Sequence, residues 1–414
     1  MRILLVADGF EATRPEETGS WLEDLAARLA HRGPRVTAVL AHLPEDGTPA
    51  PDASGIAVWR PAAGGIEPAL MQALAQRPDV VHLATPGPWS GPALRALAES
   101  PLVLDAHGFW PICAAGDLMQ RPAFLPCPHA HPHDLCGSCA GLLHLRAMEE
   151  RASLGLEARA VIAHTVAARD RLEAGLRRAV ECVRPGVDPF VYTPEPDAPL
   201  SPEVADLLAR PRPPRVLVLG DAGQHRGAPS LADLLVALNA RVPGVEMVVP
   251  DSDADEPAGA QILLTEAREL GLASQAHVFH GLTTADAPAL FAACDVACLP
   301  GSLPESGGLR VMQALSAGVP VVAHDAGAIG ELVTHGVEGL RIPSEPVGAF
   351  AHAVAALLRD PAGRAEYAER ARLAAMERFD IDRAVYAHEE IYHRARRHDG
   401  GRRPGSGPAR RTAA

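Results

Sequence analysis

The loop at 300–308 combines glycine, proline and serine with a single carboxylate, Glu305. A stretch with helical spacing follows, and the main-chain N–H groups of Gly307, Gly308 and Leu309 would point out of the start of that helix. Such N–H groups bind phosphate well, because they donate hydrogen bonds at the positive end of the helix dipole. A carboxylate beside a phosphate makes sense only if it contacts another group, so we expect Glu305 to bind a sugar hydroxyl.

The segments around this loop form one α/β unit. An apolar run at 296–299 predicts a buried strand, the spacing at 309–317 predicts a helix that Gly318 ends, and 320–323 predicts a second strand. Ligands of such units lie beyond the carboxyl end of the strand, which places the loop at a binding site.

Four of the seven cysteines lie in one insertion at 108–140: Cys113, Cys127, Cys136 and Cys139. A Cys-x-x-Cys turn can present two thiolates to one metal, and two more distant cysteines complete a tetrahedron. The prolines of this insertion disfavour a packed helix or strand, so it needs another stabiliser. The cysteines therefore predict a structural zinc or iron–sulfur site, with free thiols in a flexible loop as the alternative. Three histidines could replace one ligand: His129, His131 and His133. The other three cysteines lie in apolar strands and are expected in the core: Cys182, Cys294 and Cys298.

Composition describes an ordinary globular chain of 414 residues with 47% apolar and 21% charged residues, which is long enough for two to three domains. The formal net charge of −13 argues against a general nucleic-acid-binding protein. The start, MRILLVADGF, predicts a first strand instead of a signal peptide, and no apolar run approaches the roughly 20 residues of a membrane-spanning helix. We therefore expect a cytoplasmic protein.

Strands and helices alternate from residue 2 onwards, and the pattern restarts at Arg215 after a proline-rich linker. This alternation predicts two doubly wound parallel-sheet domains, at 1–190 and 191–378, whose facing edges form a cleft. A long helix at 379–397 follows, and the tail at 398–414 is expected to be disordered. Its arginines could give weak peripheral contact with an anionic membrane, although a solvated tail is the simpler interpretation.

Glu305, Gly308, Leu309 and the following ALSAGVPVVA resemble the signature loop of the retaining family-4 glycosyltransferases of the GT-B class. That family carries two glutamates eight positions apart, then a small-residue helix and Gly-x-Pro-Val. HVFHGLTTADAPALFAACDVACLP, GAIGELV and VRPGVDPFVYTP resemble further segments of the family, and a subset of it carries cysteines after a similar His-x-x-Trp segment. The resemblance covers most of the chain and is more specific in the second half.

The resemblance implies a GT-B fold, in which two Rossmann-like domains face a cleft and the last helix crosses back to the first domain. It also implies transfer of a sugar, with retention, from a nucleotide-diphosphate-sugar donor to an acceptor hydroxyl or amine. The N-terminal domain would bind the acceptor and the C-terminal domain the donor, and closure about 188–200 would precede chemistry. No metal is required for this chemistry, so the cysteine site would be structural.

The resemblance also carries roles to single residues. His107, at the end of the strand LVLDA, matches a histidine near the reacting carbon, and together with Glu305 it forms the implied catalytic set. Arg226 matches a lysine that binds the diphosphate, and Gly19 matches a glycine that lets the backbone approach from across the cleft. The implied donor-binding residues are Gly19, Arg226, Ser306, Gly307, Gly308, Leu309 and Gln313.

Two positions depart from the family pattern. Gln313 replaces the second glutamate, and an amide offers one acceptor where a carboxylate accepts from both ribose hydroxyls. Asp221 stands where arginine is commonest, and its charge would oppose a diphosphate. These departures leave open a degenerate GT-B partner or binding subunit without turnover. A nucleotide-sugar epimerase also stays open, because the GT-B fold that the resemblance implies houses such enzymes too.

Overall fold

The chain forms two parallel β-sheets with helices packed against both faces of each. Among the described residues, no helix has the length and apolar character that crossing a membrane requires. Several predicted site residues lie outside the described residues, including Glu305 and Arg226, and so does the tail at 398–414. A computed structural model describes residues 1–7, 17–40, 56–59, 66–84, 90–113, 116, 118–120, 125–127, 136, 142–197, 200–210, 212–219, 230–251, 258–280, 282, 286–301, 308–343 and 348–397.

The elements of the first half follow the apolar pattern of the sequence. Short runs of valine, leucine and isoleucine form strands, because branched side chains suit parallel strands that are buried on both faces. In chain order they are β1 (Arg2–Ala7), α1 (Glu17–His31), β2 (Arg35–Leu40), β3 (Ile56–Trp59), α2 (Ile66–Ala75), β4 (Val80–Leu83), α3 (Gly91–Ala98), β5 (Leu102–Asp105), β6 (Met119–Gln120), β7 (Leu125–Pro126), α4 (Leu142–Glu157), β8 (Ala160–Ala163), α5 (Val166–Leu176) and β9 (Glu181–Cys182).

The second half repeats the alternation and ends in two long helices. Its elements are α6 (Pro202–Ala209), β10 (Arg215–Val218), α7 (Leu231–Asn239), β11 (Glu246–Asp251), α8 (Ala258–Glu269), β12 (Ala276–His280), α9 (Asp286–Ala292), β13 (Val296–Leu299), α10 (Leu309–Ser316), β14 (Val321–His324), α11 (Ile329–Leu332), β15 (Gly339–Ile342), α12 (Gly348–Arg359), α13 (Pro361–Arg378) and α14 (Ile381–Arg397).

The order of the strands is doubly wound in both sheets. The first sheet has the order β3-β2-β1-β4-β5-β8-β9, the second has the order β12-β11-β10-β13-β14-β15, and neighbouring strands run parallel throughout. A small antiparallel pair, β6 and β7, lies within the cysteine-bearing insertion. The predicted fold class, two doubly wound parallel-sheet domains, is confirmed.

Alternate residues of β1 pack into different cores, as a strand covered on both faces requires. Ile3 and Leu5 pack with α1 and with the last helix, α14, whereas Leu4 and Val6 pack with helices on the opposite face. The apolar side of α14 therefore covers the first sheet, although the helix follows the second domain in sequence. This is the crossing that the family resemblance implied.

Two chain segments connect the domains, and they run side by side. Val187 donates its N–H to the carbonyl of Phe379 at 2.8 Å, and Ile381 donates to the carbonyl of Val187 at 3.1 Å. Gly186 is required here, because a Cβ atom at this position would lie 2.2 Å from the Cα of Ile381. The two crossings form one short parallel bridge between the domains.

Side chains from both domains contact the first of these two connections, the segment after Val187. Arg28 of α1 pairs with Asp188 and, at 2.8 Å, with Asp382. Arg372 of α13 donates to the carbonyls of Pro189 at 2.5 Å and Tyr192 at 2.7 Å. The chain thus passes from the first domain's contacts to the second domain's between residues 188 and 189, at the start of the hinge predicted over 188–200.

One local prediction was wrong, the burial of Cys182. Cys182 is exposed, because it lies in β9 at the edge of the first sheet, whereas Cys294 and Cys298 are buried as predicted. The proline-rich segment predicted as a linker ends where α6 begins, and Val204 and Leu207 of that helix are buried. Proline at the first position of that helix costs little, because its missing N–H would have no partner there.

Candidate functional site

The start of α10 is the part of the predicted donor site that the structure describes. Gly308 lies just before the helix with φ 70° and ψ 40°, a left-handed conformation that favours glycine. Its carbonyl accepts hydrogen bonds from Val311 at 3.1 Å and Met312 at 3.2 Å. All eight residues of α10 are buried, so the helix start is held firmly. Ser306 and Gly307, like Glu305 and Arg226, lie outside the described residues, and their roles stay predictions.

Leu309 directs the start of α10 towards the first domain. Its side chain is buried in the same apolar cluster as Trp21 of α1, Val183 and Ile381 of α14. The first turn of the helix therefore contacts the opposite domain directly. An anion bound at this helix start would lie close to both domains, which is the arrangement that a site in the cleft requires.

Gln313 lies one helical turn after Leu309 and thus on the same face of α10. Its side chain is buried, with 7% exposure. Arg310 is also buried, and its Nη1 donates to the carbonyl of Pro250 at the end of β11 at 3.3 Å. Sequence reasoning missed this arginine, because its burial becomes visible only in the structure. The guanidinium therefore lies near the end of β11.

His107 follows β5 at its carboxyl end, as predicted, and its ring faces into the first domain. Its Nε2 lies 3.3 Å from Oδ2 of Asp105 and 3.1 Å from Nε2 of His164. Burial and the neighbouring His164 lower the pKa of His107 to about 4, so its imidazole is neutral near pH 7. A neutral ring at this position can orient a hydroxyl group through hydrogen bonding but carries no charge.

Asp105 is the fully buried anion of this region, and His164 balances it. Burial opposes ionisation of Asp105, but His164 and His107 outweigh this effect and hold its pKa well below the usual range. Burial likewise disfavours a charged His164, but the Asp105 carboxylate 2.9 Å away raises the pKa of that imidazole overall. The sequence pattern indicated His107 but neither of its partners, Asp105 and His164, which are 59 positions apart in sequence and meet only through the pairing of β5 with β8.

Gly19 lies in the first turn of α1, not ahead of the helix as the sequence suggested. The N–H groups of the first helical turn have no partner within the helix, so the position is compatible with the backbone approach implied by the family. The structure assigns no ligand to this glycine, and its role stays a prediction.

Glu331, in α11 of the second domain, is a contact between the domains that sequence reasoning did not predict. Its carboxylate accepts from the N–H groups of Val166 at 2.8 Å and Ala167 at 3.0 Å, and from Arg184 at 3.1 Å. Thr165 accepts from the next amide of α5 through its hydroxyl. The second domain therefore completes the N-terminal cap of a helix in the first. The only visible signal was the single carboxylate of the segment GAIGELV, Glu331.

Replacing Glu331 with glutamine should weaken this contact between the domains. The amide keeps one acceptor but loses the negative charge that interacts favourably with the helix N-terminus and with Arg184. The free energy of local opening at the start of α5 should fall by about 1–3 kcal/mol. Hydrogen exchange at the amides of Val166 and Ala167 should accelerate by about 5- to 150-fold, since each 1.4 kcal/mol corresponds to tenfold. Glu366→Gln, at a pair on the exposed surface of α13, should leave these amides unchanged. Unchanged exchange in Glu331→Gln would contradict the assigned cap.

Three of the four predicted metal-ligating cysteines lie among the described residues. Cys113 and Cys127 are half-buried and pack against the same apolar cluster of the first domain. The N–H of Cys127 donates to the carbonyl of Leu118 at 2.7 Å, which ties the second cysteine to the first part of the insertion. Cys136 is also half-buried, and Cys139 lies outside the described residues. The four-cysteine site therefore stays a prediction.

Two facing parallel-sheet domains, a paired crossing and a last helix that returns to the first domain define the GT-B class. Residues 18–191 match the model of Glycosyltransferase Family 4, and residues 203–374 match that of Glycosyl transferases group 1. The chain therefore belongs to the GT-B glycosyltransferases of the family-4 type.

Individual relatives agree with this assignment. A D-inositol 3-phosphate glycosyltransferase of Salinispora arenicola is 32% identical over 234 residues, covering 54% of this chain and 51% of that protein. The chain thus spans about half the length of the curated relatives that it matches.

Solved structures share the fold over almost the whole chain. Anabaena HepE in complex with UDP and glucose matches with a TM-score of 0.68 and 22% identity, covering 95% of this chain and 99% of that one. Sucrose-phosphate synthase from Thermosynechococcus elongatus matches with a TM-score of 0.71 and 16% identity, covering 95% and 98%. At these identities the likeness establishes the fold.

Proposed function

We propose that this chain transfers a sugar from a nucleotide-diphosphate-sugar donor to an acceptor hydroxyl or amine, with retention of configuration at the reacting carbon. The observation that carries the proposal is the start of α10. Gly308 opens a fully buried helix whose first residue, Leu309, packs into the opposite domain. The unpaired amides expected at a helix start would face the cleft, where the leaving diphosphate develops negative charge.

The first domain would supply the acceptor side of the reaction. His107 follows β5 at the carboxyl end of the sheet, the edge at which ligands of such sheets bind. Its neutral ring, held by Asp105 and His164, would orient hydroxyl groups beside the sugar carbon under attack. Glu305 and Arg226 would bind the donor sugar and the diphosphate in the roles that the family resemblance implies.

UDP-sugars are the first donors to test, because the structural neighbour HepE is described with UDP and glucose. Phosphorylated polyols are among the first acceptors, because the relatives are named for inositol 3-phosphate. A thermal-shift series with UDP-, GDP- and ADP-sugars should show stabilisation by one base above the others, since a ligand that binds the folded chain raises its Tm.

Product analysis with a labelled donor then separates the possible activities. Label in a new glycoside supports transfer, whereas label in an epimerised nucleotide sugar supports the epimerase alternative. Stabilisation by a donor with neither product would support a binding subunit without turnover. No stabilisation by any nucleotide sugar or nucleoside diphosphate would overturn the proposal.

Gln313→Glu is expected to tighten donor binding about tenfold, which corresponds to about 1–2 kcal/mol from a charge-assisted hydrogen bond to the ribose. The side chain is buried on the same face of α10 as Leu309, so a carboxylate there would stay close to the helix start. Calorimetric titration with the donor found by thermal shift measures the change. Gln313→Leu, which has no acceptor, should weaken binding, and equal affinities in all three proteins would remove Gln313 from the donor site.

The buried amide at 313 is also the observation that favours the second candidate, a binding subunit without turnover. A chain that had lost catalysis would keep nucleotide binding at the helix start but would gain no turnover from Gln313→Glu. Measurable transfer by the unmodified chain, with any acceptor, would rule this candidate out.

We also propose that the four cysteines of the insertion, Cys113, Cys127, Cys136 and Cys139, hold a structural zinc ion or iron–sulfur cluster. Cys113 and Cys127 pack against the same apolar cluster of the first domain, which favours fixed positions for these two thiols over a flexible loop. Elemental analysis with an absorption spectrum of protein purified without oxygen distinguishes coloured iron, colourless zinc and no metal.

A further inference from the structure

A single carboxylate, Asp105, lies among four histidines in the interior of the first domain. Nε2 of His82 from β4 lies 3.2 Å from its Oδ2, and Nε2 of His388 from α14 lies 3.8 Å from the same oxygen. Nε2 of His107 is 3.3 Å from Oδ2, and Nε2 of His164 is 2.9 Å from Oδ1. His82, Asp105, His164 and His388 have fully buried side chains. Charged and polar groups are seldom left in such a place without a partner.

The nearest polar atoms face one another without aligned hydrogen bonds. Nε2 of His82, Nε2 of His388 and both oxygens of Asp105 are buried, and no hydrogen bond of acceptable geometry reaches any of these atoms. Each would cost about 1–3 kcal/mol in this state. A cation shared among these atoms would satisfy several of them at once, beyond the balance that His164 gives to Oδ1.

The outer nitrogens of the rings fix which protons are available. Nδ1 of His388 lies 2.8 Å from the carbonyl of Ala384, which can only accept, so Nδ1 carries the proton. With this proton alone on the ring, Nε2 of His388 would present its lone pair towards the carboxylate, as a metal ligand does. Nδ1 of His82 lies 2.7 Å from the hydroxyl of Tyr392, and if it donates there, Nε2 of His82 presents a lone pair as well.

The spacing fits ligands of one ion. Ligand atoms about 2.0–2.2 Å from a tetrahedral zinc ion lie about 3.3–3.5 Å apart, and each nitrogen points at the ion instead of at the neighbouring oxygen. The distances of 3.2 Å and 3.8 Å bracket this separation, and the three ligand atoms of His82, Asp105 and His388 all lie within 4.8 Å of one another. A cation between these atoms would produce such contacts, in which nitrogen and oxygen are close but not aligned as hydrogen bonds.

We propose that His82, Asp105 and His388 bind a divalent transition-metal cation of the zinc type inside the first domain. Imidazole and carboxylate are the ligands that such ions prefer. Tyr392 and the carbonyl of Ala384 then act as the outer partners that orient metal-bound histidines through Nδ1. This site is separate from the predicted cysteine site.

The ion would join parts of the chain that are distant in sequence. His82 and Asp105 belong to neighbouring strands of the first sheet, whereas His388 and Tyr392 belong to α14, which follows the second domain. Metal binding would therefore fasten the last helix to the first sheet. His107, two residues after Asp105, would be held by the same carboxylate, so the ion also supports the position of this predicted catalytic residue.

The test uses the full chain, stripped of metal by a chelator and then titrated with Zn²⁺ or Co²⁺ alone. The cysteine site is removed independently by the variant Cys113→Ser/Cys127→Ser/Cys136→Ser/Cys139→Ser. We expect one equivalent of ion to remain in that variant, with a Co²⁺ spectrum that lacks a thiolate-to-metal charge-transfer band. A chain that takes up no ion beyond the cysteine insertion overturns the proposal and leaves a protonated His164 as the partner of Asp105.

Variants in α14 locate the site. His388→Gln should abolish this equivalent, whereas His393→Gln, an exposed histidine on the same helix, should retain it. Tyr392→Phe keeps all three ligands and should weaken binding about 10- to 100-fold by removing the outer partner of His82. Retention of full affinity in both His388→Gln and Tyr392→Phe overturns the assignment. If His388→Gln fails to fold, judged by circular dichroism, Tyr392→Phe decides.

Discussion

Gly186→Ala is expected to lower the free energy of unfolding by about 3 kcal/mol or more, at the upper end of what overpacking costs. The added Cβ would lie 2.2 Å from Cα and 2.6 Å from N of Ile381, and the backbone cannot yield as a flexible side chain does. The paired crossing must therefore separate. Urea denaturation measures the loss, and hydrogen exchange at the amides of Val187 and Ile381 should accelerate with it.

Gly348→Ala is the matched control for this prediction. Gly348 begins α12, and nothing lies within 4 Å of the Cβ that alanine would add. The substitution should be neutral or stabilise the chain by about 0.4–1 kcal/mol, because alanine restricts the unfolded chain. If Gly186→Ala behaves like Gly348→Ala, the crossings do not approach as closely as described.

Arg215→Ala should cost about 3–5 kcal/mol of unfolding free energy, because it leaves a buried carboxylate without its partner. Arg215 is 2% exposed and donates from Nε to Glu246 at 2.9 Å and from Nη2 to the carbonyl of Leu207 at 2.9 Å. His277, 3.4 Å from Glu246, can offset part of the loss, which favours the lower end of the range. Urea denaturation of both proteins gives the difference.

Arg210→Ala provides the comparison on the surface of the same domain. Arg210 directly follows α6 and pairs at 2.5 Å with Asp206, which lies one turn earlier in that helix. Both side chains are largely exposed. Such pairs contribute about 0.3–0.5 kcal/mol, so the variant should be close to the unmodified chain. Similar losses in the two arginine variants would show that burial does not decide the strength of these pairs.

The sequence predicted the strands and the doubly wound architecture because parallel strands leave a strong pattern. VVHL and VACL are continuous apolar runs, and both form strands whose residues are all buried. The helix start at Gly308 was also predictable, since glycine before an apolar helical pattern marks a helix boundary. These features depend on neighbouring residues, which a sequence shows directly.

The features that were missed depend on contacts between distant residues. Glu331 caps a helix that begins 165 positions earlier, and His388 approaches Asp105 only because α14 returns to the first sheet. No local pattern distinguishes Cys182 at a sheet edge from Cys298 in a sheet centre, because edge position is a property of the whole strand order. The loop chemistry around Glu305 stays a prediction from neighbouring residues, whereas the surroundings of His107 depend on contacts that a sequence does not show.

The adjacency of the two crossings restricts how the lobes can part. Val187 is hydrogen-bonded to Phe379 and Ile381, so both covalent connections lie side by side, and we expect the two domains to pivot about this place. The separation of the two domains would then grow with distance from the connections, so the edges of the cleft farthest from them would move apart most.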